Sequence, residues 1–474
     1  MLFGLFPNSR STHPLASARG VRKLIATFDT SDPYWFLKDV NNSLLEMEGL
    51  AHVAGTDAAY QATVMLCDCS RGAAATLLGR FLQEGDQYHM SELARVALEK
   101  YAGELYHAYS HFIGHHLDGD AKSKRVELVV AAVRAFRAWA LEMKLRRFYY
   151  RLPLESDWKS ANGLLNTLME KDLDQRAVKA FSDEAAITPR QEYLRGLYGE
   201  VVPSNNLLPL QIELLDRFIR SCERLEFNED HGEFSTHVID IALAQGPKRI
   251  FGDRDDEAAT GQKPRFLSTV ELHGQLHTLG EQLKSQGEIP QWLRAFPLSM
   301  ELKESALRLT SQHWLPEPPQ RRATRTFDRF EIMVVKGLDQ MRAMLAIAER
   351  VRAYIVQPHD SSMSQTADTR ESSFEMLYRL ESELKGVPIE TWVQTDHSDT
   401  GFAATIKTPL LAYRIGMPIA FRYADGLYWR AGTIRRIGRD PTSRPSIGVE
   451  FSETEPADPL PLEAQAKDLL PLSA

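Results

Sequence analysis

The sequence predicts a multidomain α+β protein, in which an all-α N-terminal region precedes a small antiparallel β-barrel containing a helical insertion. A chain of 474 residues exceeds the size at which one hydrophobic core keeps growing, so two or three domains are expected. Helical periodicity extends from about residue 33 to residue 314. After a proline-rich break, the pattern changes to short β-prone runs separated by turn residues.

The all-α region is predicted to span residues 1–314. Its first clear amphipathic segment, residues 91–112, places apolar side chains on one helix face, namely Leu93, Ala97, Tyr101, Leu105, Tyr109 and Phe112. Similar stripes occupy residues 126–148, 207–225 and 267–283. The polar, glycine-containing stretch 227–263 predicts a long loop.

A Pro/Arg-rich linker is predicted at residues 315–324, because its prolines cannot continue a helix and favour an extended chain. The barrel is predicted over residues 325–455, followed by a loosely ordered tail at 456–474. Residues 330–335 are typical of a strand. Helical periodicity then returns within about residues 338–388, which predicts the insertion.

From residue 390 onward the sequence favours short strands joined by tight turns, as in a small antiparallel barrel. A β-prone run at 391–394 comes first. Asp425-Gly426 is a strong hairpin signal, and Asp440-Pro441 marks a second turn. The strands predicted around these two turns are residues 418–422, 427–430, 432–437 and 446–451.

Two short motifs accompany the predicted barrel strands. Arg325-x-x-x-Arg329 directly precedes the strand at 330–335, and Asp396-x-Ser398-x-x-Gly401 follows the run at 391–394. The first spacing recurs elsewhere in the chain, so alone it indicates no more than a charged surface. The second motif occurs once. The order of the two motifs and the strands beside them together distinguish this pair from a chance match.

These motifs, with the closing strands, resemble the PilZ domain family, bacterial receptors for cyclic di-GMP. The resemblance covers roughly residues 321–451. It departs from the family pattern because Arg329 and Asp396 lie 67 positions apart, which we attribute to the helical insertion. The resemblance implies cyclic di-GMP as ligand, no cofactor, and binding residues Arg325, Arg329, Asp396, Ser398 and Gly401, with Arg321 and Arg322 as further candidates.

The implied residue types suit this ligand, which offers two phosphates and two guanines. Arginine binds phosphate through two N–H groups, matches the O6 and N7 acceptors of guanine and stacks on purines. The resemblance further implies that Asp396 accepts hydrogen bonds from guanine N–H groups and that Ser398 bonds phosphate or base. It assigns to Gly401 a backbone position with positive φ or a close approach to the ligand.

Composition argues against several other classes. The net charge of -8 and pI near 6.0 disfavour a DNA, RNA or anionic-membrane partner. No apolar stretch approaches the roughly 20 residues of a membrane span, and the apolar start before Pro7 is too short for a signal peptide, so a cytoplasmic location is expected. Cys67-Asp68-Cys69 lacks a second pair to complete a zinc site, so inert thiols are expected.

An alternative places an enzyme in the helical region, because His107, His111 and His115 recur every fourth residue and can share a helix face. No adjacent carboxylate or cysteine completes a metal set, and Gly114 is expected to end the helix before His115. A solvated polar face is the favoured interpretation, and the chain is expected not to be an enzyme.

The leading hypothesis is a cyclic di-GMP effector or adaptor, in which the ligand orders the linker onto the barrel and repositions the helical region or a protein partner. Such coupling is typically worth about 1–3 kcal/mol. The alternative is a degenerate PilZ-like scaffold that engages proteins without nucleotide.

Overall fold

The computed structural model describes residues 13–83, 92–117, 124–250, 261–285, 287–317, 324–356, 372–384, 386–408, 410–440 and 444–452. The chain divides into two compact units. Unit 1 comprises Met1–Ser204 and Pro209–Pro319, and unit 2 comprises Asn205–Leu208 and Gln320–Ala474. A helical N-terminal region followed by a closed antiparallel barrel confirms the predicted α+β class.

In its described residues, unit 1 contains twelve α-helices and a small sheet. The helices before the sheet are α1 (Ala18–Ile25), α2 (Pro33–Leu44), α3 (Met47–Ala54), α4 (Thr56–Gln83), α5 (Glu92–Leu117), α6 (Arg125–Phe148), α7 (Glu155–Glu170), α8 (Pro189–Glu200) and α9 (Pro209–Ser221). The helices after it are α10 (Val270–Lys284), α11 (Gln291–Arg294) and α12 (Met300–His313). Pro189 and Pro209 are the first residues of their helices, where a missing N–H costs nothing.

Helix α6 lies at the centre of unit 1, because it is buried on nearly every side. Trp139 stacks on Tyr193 of α8, with ring centroids 5.4 Å apart, and Phe136 meets the same tyrosine edge to face. The buried Lys144 ammonium donates to Glu213 and Asp216 of α9 at 2.9 Å each. Packing and paired charges thus join α6 to α8 and α9.

Two details of α5 differ from the sequence prediction. The helix continues through Gly114 to Leu117, so Gly114 does not end it. An added Cβ at Gly114 would meet no atom within 4 Å, and buried Ile113 and Leu117 hold the last turn against the core. Leu93 was expected on the buried stripe but is 61% exposed, whereas Ala97 and the stripe residues that follow it are buried.

The long loop predicted at 227–263 is partly sheet. Strands β1 (His237–Asp240) and β2 (Lys248–Arg249) lie within it. With β3 (Pro264–Leu267), which follows directly after it, they form an antiparallel sheet in the order β2-β1-β3. Runs of two to four residues are too short for an alternating pattern to be read from sequence.

Unit 2 is built on a closed barrel with strand order β4-β5-β6-β9-β8-β7. Its elements are β4 (Glu331–Lys336), α13 (Leu338–Val356), α14 (Ser373–Glu383), β5 (Glu390–Ser398), β6 (Gly401–Thr405), β7 (Pro418–Tyr423), β8 (Arg430–Arg439) and β9 (Pro445–Phe451). All neighbouring strands are antiparallel, and β4 closes the barrel by pairing with both β5 and β7. The two insertion helices lie between β4 and β5 in sequence, as predicted.

The insertion helices cover part of the outer barrel surface. Val334 and Val335 point to opposite faces of β4, yet both are fully buried. Val335 belongs to a core shared with Met344 and Val351 of α13 and with Leu377 of α14. The apolar stripes of the two helices therefore face the barrel.

The strands around the predicted turns differ in two ways. Residues 427–429 do not form a separate strand; β8 begins at Arg430 and continues to Arg439 as one long strand. Strand β6 was not predicted, because its Phe402, Ala403 and Ala404 are all buried and lack the alternation of a half-exposed strand. None of the helices that the structure describes combines the length and apolarity that a membrane crossing needs.

Candidate functional site

The structure brings the two predicted motifs of unit 2 into direct contact. The Nη1 atom of Arg325 donates to both carboxylate oxygens of Asp396 at 2.6 Å, across 71 positions of sequence. The Asp396 side chain is 13% exposed and that of Arg325 30%, so the pair lies at the surface without being fully solvated. The two motifs therefore occupy one site on the barrel.

A backbone bridge holds this arrangement in place. Thr326 N donates to His397 O at 2.9 Å, and His397 N donates to Thr326 O at the same distance. This antiparallel pair lies before the first residue of β4 and is shifted by one residue relative to the β4–β5 ladder, and Gln394 N also donates to Phe330 O. The segment that carries the arginines is thus attached to the β5 backbone in this structure.

The Asp-x-Ser motif lies within β5, not after it as the sequence analysis expected. Asp396 and Ser398 are alternate residues of one strand, so they point to the same face. The tight turn is Asp399-Thr400, which joins β5 to β6. The Ser398 hydroxyl is 3.3 Å from the Thr400 hydroxyl and donates to Gly401 O at 3.4 Å, contacts long enough to exchange for a ligand.

Arg329 differs from Arg325 in the surroundings of its guanidinium. It is exposed, and it makes no hydrogen bond or ion pair with any residue that the structure describes. Its position three residues after the Thr326 bridge places it at the edge of the same site. A solvated guanidinium beside a shallow polar surface is suited to bind an anion.

Gly401 serves the strand packing of the barrel. Its φ does not lie in the left-handed region, so of the two predicted roles the positive φ is wrong, and the close approach to the ligand stays a prediction. A Cβ at this position would lie 2.1 Å from the carbonyl oxygen of Val449 on β9. The close approach that requires glycine is therefore the approach of a neighbouring strand.

Buried polar groups behind the site orient His397. Tyr423, whose pKa is raised by burial, donates its hydroxyl hydrogen to Gln394 Oε1 at 3.3 Å. Gln394 Nε2 donates in turn to His397 Nδ1 at 3.3 Å. The sequence gives no signal for this support, since Gln394 belongs to neither motif.

Two further arginines of the sequence prediction, Arg321 and Arg322, lie outside the described residues. Phe327, which was not among the predicted site residues, stands between the two motif arginines and is 78% exposed. An aromatic residue inside a short polar and charged run was the available signal.

The helical histidines lie largely on the solvent-facing side of α5. His107, His111 and His115 are exposed on α5, as the solvated-face interpretation predicts. His116 Nε2 lies 3.0 Å from Asp57 of α4. Across the described part of the chain, no group of three or more His, Cys, Asp or Glu side chains is placed to hold a metal ion.

Comparison with known families gives a match in the helical part of the chain. Residues 19–226 match a family model described as the N-terminal domain of the cyclic-di-GMP receptor FimW. The matched residues begin in α1 and end just after α9. No curated protein sequence matches the chain.

Proposed function

We propose that this chain is a bacterial, cytoplasmic effector that binds cyclic di-GMP on the outer surface of its C-terminal barrel and is not an enzyme. The observation that carries the proposal is the contact of Arg325 with Asp396, which joins the two halves of a PilZ-like motif. The family model matched by residues 19–226, outside the barrel, is also that of a cyclic di-GMP receptor. Two separate parts of the chain thus support the same ligand.

In this proposal each site residue has a distinct role. Arg329, which is uncommitted in the described structure, binds a phosphate of the ligand. Arg325 binds phosphate or the O6 and N7 edge of guanine while it remains close to Asp396. Asp396 and Ser398, on one face of β5, accept from guanine N–H groups and bond the phosphate or base.

The same geometry supports a coupling role. The arginine-bearing segment is attached to β5 through the Thr326–His397 bridge, a single pair of backbone hydrogen bonds. A ligand held by both Arg329 and β5 would strengthen this attachment. We propose that this stabilisation of the attached segment changes the conformation of the helical region or its binding to a protein partner, with a coupling free energy of typically about 1–3 kcal/mol.

Isothermal titration of the full chain with cyclic di-GMP tests the binding proposal. Arg325→Ala and Arg329→Ala each remove charge-assisted hydrogen bonds, so each should weaken binding about 10-fold or more. The matched control is Arg435→Ala, because Arg435 begins another R-x-x-x-R sequence on β8 and is exposed, with Glu450 as its ion-pair partner. Equal affinity in all three variants would remove the motif from the binding site.

One observation favours the scaffold alternative. Asp396 already neutralises Arg325 without a ligand, so the pair can serve to fix the segment on the barrel. Under this alternative, the folded wild-type protein shows no binding heat and no thermal stabilisation by cyclic di-GMP. Either sign of specific binding excludes it.

A further inference from the structure

The unexplained feature nearest the site is Phe327, the most exposed of the large apolar side chains in the described structure. A phenylalanine side chain left in water forgoes roughly 1.5–3 kcal/mol of burial. Its ring has no aromatic or cationic neighbour among the described residues. Single exposed apolar residues are common on protein surfaces, so exposure alone does not assign a function to Phe327. Its position beside the motif residues does indicate one.

The bridge between Thr326 and His397 fixes that position. Residues on either side of a bridged residue point to the opposite face from it, so Arg325 and Phe327 share a face. Asp396, next to His397 on the partner strand, lies on this face too, because its carboxylate contacts Arg325. Counted from the bridge in antiparallel order, Phe327 is the counterpart of Asp396, although the β4–β5 ladder further along is shifted by one residue from this register.

We infer that Phe327 is a base-stacking residue of the ligand site, which holds the face of a purine while Asp396 and Ser398 hold its edge. This inference rests on the proposed function and adds to it a contact that neither motif contains. The chemistry is complementary, since a flat purine needs a partner for its face as well as for its hydrogen-bonding edge. Arg325 and Arg329, on either side of Phe327 in sequence, would bind the phosphates and so bring the base to the phenyl ring.

Titrations of the full chain with cyclic di-GMP test the inference. Phe327→Ala should weaken binding about 5- to 150-fold, the range for loss of one base stack. Phe327→Trp and Phe327→Tyr should restore wild-type affinity, and Phe327→Leu should not, because leucine keeps apolar volume without a ring face. The control is Phe234→Ala, which makes the same change at a residue 59% exposed in unit 1. At 78% exposure, truncation of Phe327 leaves no cavity, so the variants should remain folded.

The outcomes separate the two proposals. Phe327→Trp should also change its indole emission when cyclic di-GMP is added, which reports direct contact. If wild type binds, Arg329→Ala weakens binding and Phe327→Ala does not, the stacking inference is overturned and the proposed function stands. Wild-type affinity in Phe327→Leu likewise overturns stacking. If wild type itself does not bind cyclic di-GMP, both proposals fall.

Discussion

Besides their apolar packing, the insertion helices are joined to the barrel by one buried carboxylate. Glu381 of α14 accepts hydrogen bonds from Arg422 Nε at 2.9 Å and Nη2 at 3.2 Å, and from Trp429 Nε1 at 2.8 Å. The Arg422 side chain is 2% exposed and that of Glu381 8%. Glu381→Ala would therefore leave a buried guanidinium on β7 without its counter-ion and the Trp429 indole N–H without its acceptor.

The size of the effect follows from that burial. Removal of one partner of a buried ion pair costs about 3–5 kcal/mol, because the remaining charge cannot return to water. We expect the free energy of local opening of α14 to fall by this amount, which speeds hydrogen exchange at residues 373–383 by at least two orders of magnitude. Glu383→Ala is the matched control on the same helix. Its carboxylate is 51% exposed and pairs with Arg379, so its loss should cost about 0–1 kcal/mol.

Hydrogen exchange of the full chain, read by mass spectrometry on peptides from α14 and β7, measures this difference. The double change of Glu381→Leu with Arg422→Met should be less damaging than Glu381→Ala, because it leaves no unpaired buried charge. Equal exchange in the Glu381→Ala and Glu383→Ala variants would refute the reasoning. It would mean that apolar packing alone holds the insertion on the barrel.

Buried thiols, buried histidines and one close contact between strands each have a measurable consequence. Burial raises the pKa of Cys69 and Cys222 to about 11, so both thiols should react with a disulfide reagent at pH 8 at least about 100-fold more slowly than a free cysteine, as measured by colorimetric thiol assay. Burial also lowers the pKa of His237 to about 3 and that of His313 to about 4, so both imidazoles stay neutral in the folded protein at pH 5. In the unfolded chain the same histidines take up a proton below their ordinary pKa of about 6.5. Stability should therefore fall as pH decreases from about 6.5, by about 2 kcal/mol per histidine at pH 5, and equal urea midpoints of unit 1 at pH 7 and pH 5 would contradict this. Gly401→Ala should destabilise the barrel, because its Cβ would lie 2.1 Å from a backbone oxygen of β9; thermal melting measures the loss, and an unchanged midpoint would show that the strands adjust freely.

The barrel was predictable because its signals are local. Turn residues such as Asp425-Gly426 stand between β-prone runs, and the motif arginines directly precede a strand. The insertion was visible as a return of helical periodicity, which became α13 and α14. Each of these features can be read within a window of about ten to twenty residues.

The features that sequence reasoning missed depend on long-range neighbours. The role of Gly401 is set by Val449 of another strand, and the bridge of Thr326 to His397 uses backbone atoms alone. Glu381 resembles any other helical glutamate in sequence, yet it is buried by Arg422 and Trp429. No window of the sequence contains both members of these pairs, so only the fold reveals them.

The Arg325–Asp396 pair also determines how binding data on this site must be interpreted. A ligand that binds Arg325 meets a guanidinium already paired with a carboxylate at 2.6 Å. The free energy gained from this contact is therefore only the difference between the ligand–Arg325 and Asp396–Arg325 interactions. Arg325→Ala removes the ligand contact and also leaves Asp396 unpaired, where its negative charge repels a phosphate. Its loss of affinity thus combines two effects of the same sign. Arg329 has no partner among the described residues, so Arg329→Ala removes a ligand contact alone and gives the cleaner measure of what one arginine contributes.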